Sequence, residues 1–201
     1  MSENIPKNLQ TVISEGYTVK IGKYISEGWQ IFKQKICLFL GFTVLLFVVS
    51  MALEQMVPRI SYPAFIVIYG PLSAGLLIAA LQIVKKQSTV IGDFFKGFNY
   101  FVPLVLADLV ALILILLGTI LLILPGIYLV ISYLLTYPII LDRRMDFWQG
   151  METSRKIVTK EWFSFLGLAL ILALINLGGL LLLGLGLLVT IPLSYCVIAL
   201  A

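Results

Sequence analysis

The sequence predicts an all-α fold: a polytopic helical membrane protein with about six transmembrane helices in three hairpins and amphipathic helices at the interface. Three observations predict it. The first is composition. Of 201 residues, 61% are hydrophobic and 12% charged, with a mean hydropathy of +1.08. A water-soluble domain carries about a quarter charged residues, so this chain uses lipid as its solvent. No alternating pattern of strand length recurs, which favours helices over a barrel. The second is the length of the apolar segments, drawn at 36–57, 62–84, 100–123, 126–141, 162–180 and 184–201. The third is where the basic residues fall.

Residues 1–19 form a cytoplasmic N-terminal segment, and 20–201 form the helical transmembrane domain. No A-x-A-like exit follows the early lysines, so the first span is read as the targeting signal rather than a cleaved peptide. Over residues 20–34, Ile21, Tyr24, Ile25, Gly28 and Phe32 share one helical face; Lys20, Lys23, Glu27, Gln30 and Gln34 share the other. Such a helix lies flat in the inner headgroup layer with its basic edge toward anionic lipid, or docks on a cytoplasmic partner.

Thirteen of the 14 basic residues collect on one side when six spans are drawn, with Arg59 the exception. The positive-inside rule then puts both termini in the cytoplasm. Lys96 and Arg143-Arg144 must share a side, so the 33 uncharged residues between Asp108 and Asp142 belong to two spans. As one helix they would run about 50 Å, against a hydrocarbon core of about 30 Å. Pro125 lacks an N–H and Gly126 accepts positive φ, which marks the pair as the hairpin tip; a kinked or re-entrant helix is the competing reading. The sixth segment ends at Ala201 without a polar tail and is barely long enough to cross.

Residues 146–160 read as a second interfacial helix. Trp148, Met151 and Val158 fall on one side, and Glu152 can pair with Lys156 at i,i+4. Trp29, Phe95, Lys96, Trp148, Arg155 and Lys156 are the expected interfacial contacts, aromatic and basic groups being favoured at headgroup level. "EGWQIFKQK" (27–35), "GDFFKGFNY" (92–100) and "DFWQGMETSRK" (146–156) each precede a pair of spans. Their uneven spacing is read either as a loose threefold repeat or as converging interface chemistry.

Asp108 is the one acid well inside a span. A central Asp costs about 2.5–3.5 kcal/mol to insert, which makes it a functional candidate by default. The alternative is that it bonds a neighbouring helix or reaches back toward Lys96. Asn176 shares a stripe with Ala169 and Ala173, and Gly70/Ala74 and Gly75/Ala79 are small-xxx-small pairs. Histidine is absent, and Cys37 and Cys196 are far apart with no CxxC. No metal-ligand cluster or nucleophile–base pair is legible, so no catalytic residue, metal or cofactor is expected. The net charge of +4 is accounted for by topology and requires no nucleic acid.

The stretches "GPLSAGL", "GDFFKGF", "LPGIYLVISYLLTYPIILD" and "WQGMETSRKIVTKEWFSFLGL" resemble three bacterial integral-membrane groups. These are the domain-of-unknown-function 975 family, the YciC-like family, and the membrane domain attached to some glycerophosphodiester phosphodiesterases. The resemblance spans about residues 20–201. It implies the helical membrane architecture and no reaction, since the phosphodiesterase chemistry belongs to a separate soluble barrel. Two functions are expected. One is an accessory, scaffold or membrane-organising protein that binds lipid, a membrane-protein partner or its own copies. The other is a small transporter using Asp108 and Asn176.

Overall fold

The computed structural model describes residues 18–56, 61–182 and 184–201. Most of the expected N-terminal segment, Arg59 and the side chain of Glu54 lie outside what is described. Among the described residues the chain is all-helical. Helices α1 (Ile21–Gln34), α2 (Ile36–Met56) and α3 (Ser61–Val84) lead to a 3-10 segment, Ile91–Tyr100. Helices α4 (Phe101–Leu121), α5 (Ile123–Ser132), α6 (Thr136–Arg143), α7 (Phe147–Lys160), α8 (Trp162–Leu181) and α9 (Leu187–Leu200) complete it.

Three helical stretches are long and apolar enough to cross a membrane: Ile91–Leu121, Ile123–Arg143 and Trp162–Leu181. A fourth is added if α1 and α2, bent by 91° at their junction, count as one broken span. The part of α3 whose side chains are described, Ile68–Val84, and α9 are shorter apolar helices. With its 14 residues, α9 rises about 21 Å, less than a hydrocarbon core.

The expected helix at 20–34 forms, and its apolar face is covered by protein. Gly28, Ile31 and Phe32 are buried, and Gly28 lies so close to α9 that a Cβ there would come within 2.7 Å of Val197 Cγ2. The rings of Phe32, Phe39, Phe42 and Phe94 continue this packing, with centroids 4.7–5.9 Å apart along the chain of contacts. Offset and edge contacts at such distances suit aromatic quadrupoles.

The reversal between α4 and α5 falls at Leu122 rather than at Pro125-Gly126. Leu122 is extended (φ −160°, ψ 139°), whereas Pro125 is the third residue of α5. There its missing N–H costs nothing, because the first N–H groups of a helix have no partner within it. Gly126 serves close approach: a Cβ on it would sit 2.1 Å from Thr119 Oγ1. The segment drawn as one span at 126–141 is two helices, interrupted at Tyr133–Leu135.

In α7 the buried stripe is Gly150, Met151, Ser154, Ile157 and Val158. Trp148 does not join Met151 and Val158. It lies six residues, or about 120° around the helix, from the stripe's centre, and is 56% exposed. The three aromatic-basic stretches adopt different local structures: the end of α1 and the α1–α2 junction, a 3-10 segment, and the start of α7.

Candidate functional site

Two concavities are built from the polar residues of this chain. The first surrounds Asp108. It is a groove of about 440 Å³ between α3, α4, α6 and α9, lined by Tyr69, Gly70, Ser73, Asp108, Ala111, Leu112, Ile115, Tyr137 and Tyr195. The Tyr137 hydroxyl donates to Asp108 Oδ2 at 2.6 Å. The pair exists because α3 presents no side chain there. A Cβ on Gly70 would lie 2.7 Å from Asp108 Oδ2 and 2.9 Å from the Tyr137 hydroxyl. Asp108 therefore does not reach back to Lys96, whose Nζ meets Asp93 Oδ1 at 2.5 Å. A carboxylate has about four acceptor sites, so one phenol leaves capacity for a donor carried by a ligand.

Asn176 does not line this groove. Its amide donates to Ser194 Oγ at 2.8 Å and to Leu172 O at 2.9 Å, joining α8 to α9. The two intramembrane candidates are thus kept apart, each in its own interhelical bond. Gly179 and Gly186 close the same helix pair at its tip, where a Cβ on Gly186 would meet Gly179 Cα at 2.6 Å.

The second concavity, about 430 Å³, is strongly polar. It is lined by Ile78, Leu81, Gln82, Lys85, Gln87, Lys96, Asn99, Tyr100, Leu141, Asp142 and Arg144, from the end of α3, the 3-10 segment and the end of α6. Lys85 Nζ pairs with Asp142 Oδ1 at 2.6 Å. The turn after α3 and the last turn of α6, more than 50 residues apart in sequence, therefore meet. Among the described residues only Lys86 (φ 56°) and Arg144 (φ 53°) are non-glycine with positive φ. Arg144 lines this concavity directly after α6, and Lys86 lies between the lining residues Lys85 and Gln87, two residues beyond α3. After α3 the turn is a Schellman motif: Gln87 N–H bonds Gln82 O at 2.9 Å, with Lys86 in the left-handed position that glycine usually takes. Replacing Lys86 by glycine is expected to stabilise the fold by about 1 kcal/mol, read as a higher melting temperature in detergent.

The remaining interfacial candidates divide. Trp29 and Phe95 are 40% and 45% exposed. Arg155 holds Glu152 in a bidentate pair at 2.8 and 2.9 Å, and Lys156 adds a contact at 3.4 Å. The hydrogen bonds from Arg155 keep the Glu152 carboxyl below its ordinary range. The sequence reading anticipated Lys156 and missed the stronger i,i+3 partner. It also missed Tyr137, Lys85, Asp142 and Arg144, whose roles come from distant segments meeting.

Ser154 was likewise not singled out. Its hydroxyl donates to Ser132 O at 2.7 Å and accepts from Leu135 N–H at 3.2 Å, so α7 satisfies the backbone where α5 and α6 part. Among the described residues no group of His, Cys, Asp and Glu is placed to hold a metal. No family model matches the chain, and no curated protein or solved structure matches it.

Proposed function

We propose that this chain is an integral protein of the bacterial inner membrane, without a catalytic role, that organises lipid and other membrane proteins around its helices. Six crossings with both termini in the cytoplasm remain the topology proposed. The observation that carries the reading is how the polar groups at membrane depth are used. Asp108 bonds Tyr137, Asn176 bonds Ser194, and Ser154 bridges Ser132 and Leu135. These are separate bonds between helices, which is how polar side chains hold bundles together in lipid. The resemblance to bacterial membrane families without an assigned reaction points the same way.

The charge distribution supports the orientation. Lys85 meets Asp142, so the basic stretches at 85–96 and 142–144 share an end, as the positive-inside rule requires of cytoplasmic loops. The 91° turn from α1 into α2 suits an α1 that lies along the inner leaflet while α2 enters it. Exposed Lys20, Lys23 and Lys33 would then face anionic headgroups. Trp29 and Trp148 are exposed at the ends where headgroups would lie.

One observation favours transport as a second reading: the Asp108 groove adjoins a span interrupted at Tyr133–Leu135, and interrupted helices often line substrate sites. Asp108→Asn in proteoliposomes carrying a proton or ion reporter separates the two. On the scaffold reading neither parent nor variant moves ions, and pull-down in mild detergent recovers a stoichiometric partner. Flux in the parent that is lost in Asp108→Asn overturns it.

A further inference from the structure

We propose that the polar concavity between the end of α3, the 3-10 segment and the end of α6 is a binding site for one anionic phosphate group. The inference holds whether the chain is a scaffold or a transporter. It names a saturable site where general attraction of a basic surface to anionic lipid would give only a diffuse layer.

The lining carries three cations, Lys85, Lys96 and Arg144, and one carboxylate, Asp142. Asn99 and Gln87 add amide donors to the same wall. Phosphate needs donors on several sides, and a guanidinium with two ammonium groups from different elements supplies them. Lys85 and Lys96 are each positioned by an acid of their own: Asp142 at 2.6 Å and Asp93 at 2.5 Å. Asp93 is itself buried, and its Oδ2 accepts from Val90 N–H at 2.8 Å, which fixes the start of the 3-10 segment. Arg144 forms no ion pair among the described residues, so its fork is free for a ligand.

The backbone gives an independent observation. Of the two non-glycine residues held in the left-handed region among the described residues, Arg144 lines this concavity, and Lys86 lies between its lining residues Lys85 and Gln87; both are basic. Side chains with a Cβ are disfavoured in that conformation, and exceptions gather at sites where geometry matters. Arg144 reaches the lining only because the chain turns left-handed directly after α6. The volume, about 430 Å³, accommodates a phosphate with a small attached polar group. Its walls also include Ile78, Leu81 and Leu141, which extend apolar surface from the polar end. That pairing of surfaces fits a phospholipid headgroup whose chains run along the helices; a free phosphate monoester shares the same anchor.

The test uses the full chain in phosphatidylcholine nanodiscs, with phosphatidate added in one arm and inorganic phosphate in the other. Native mass spectrometry of the released protein counts bound species. One phosphatidate per chain, weakened about tenfold by Arg144→Gln and again by Lys96→Gln, is expected. Lys23→Gln/Lys33→Gln removes equal charge from α1 and should change binding by less than about twofold. Competition by inorganic phosphate assigns the site to soluble phosphates as well as lipid; its absence assigns it to the headgroup alone. Arg144→Lys should recover part of the binding while circular dichroism stays unchanged. Binding that falls equally in the α1 and pocket variants, or that never saturates in either arm, overturns the proposal.

Discussion

Replacing Gly97 by alanine is expected to destabilise the fold by about 3 kcal/mol or more and to cut the yield of folded protein. A Cβ on Gly97 would sit 1.9 Å from Pro71 O, and one on Gly75 would sit 1.8 Å from Phe94 O. These are contacts with backbone, so no rotamer change relieves them. The 3-10 segment and α3 would have to part by more than an ångström, opening the seat of Phe94, which is fully buried. Small residues allow such approach between helices in lipid, where packing replaces the hydrophobic effect as the force between helices. Gly75→Ala should behave alike. Gly92→Ala is the control, because nothing lies within 4 Å of a Cβ there. Thermal unfolding in detergent reads the difference; equal melting temperatures for Gly97→Ala and Gly92→Ala would show that the 3-10 segment does not pack as described.

Ser154→Ala is expected to cost about 2–4 kcal/mol, the second large effect. The hydroxyl is fully buried and serves two backbone groups of a neighbouring element, Ser132 C=O and Leu135 N–H. Removing it leaves both unsatisfied, each at about 1–3 kcal/mol. The interruption between α5 and α6 is tolerable in an apolar surrounding only because α7 completes it, since irregular backbone at membrane depth must be covered by protein or water. Hydrogen exchange provides the measurement: the amide of Leu135 should lose protection in Ser154→Ala and keep it in Thr159→Ala, whose hydroxyl is exposed and bonds only within α7 and to Tyr128.

The helical class, the membrane environment and the positions of most helices were legible in the sequence, because each depends on local quantities. Apolar run length, the near absence of charge and the 3.6-residue period are properties of short windows, and lipid leaves a helix as the way to satisfy their backbone. Asp108 and Asn176 stood out for the same reason: a polar group in an apolar run is visible without any fold. What those groups do was decided in three dimensions. Tyr137 lies 29 residues from Asp108, and its role depends on Gly70 of a third helix leaving room. Pro125 illustrates the converse. Its chemistry is that of a turn, yet an extended Leu122 makes the turn, since proline is equally at home in the first turn of the next helix. The apolar face of α1 was legible from its period, but not that α9, some 170 residues away, would cover it. Likewise a list of lysines and arginines names the charges; only the packing of α3 against the 3-10 segment and α6 gathers Lys85, Lys96 and Arg144 around one space. Composition and periodicity fix what each segment must do with its backbone and its apolar face. Which segments meet depends on shape, on glycines that remove a Cβ and on bonds between residues far apart in the chain, and no window of sequence contains that.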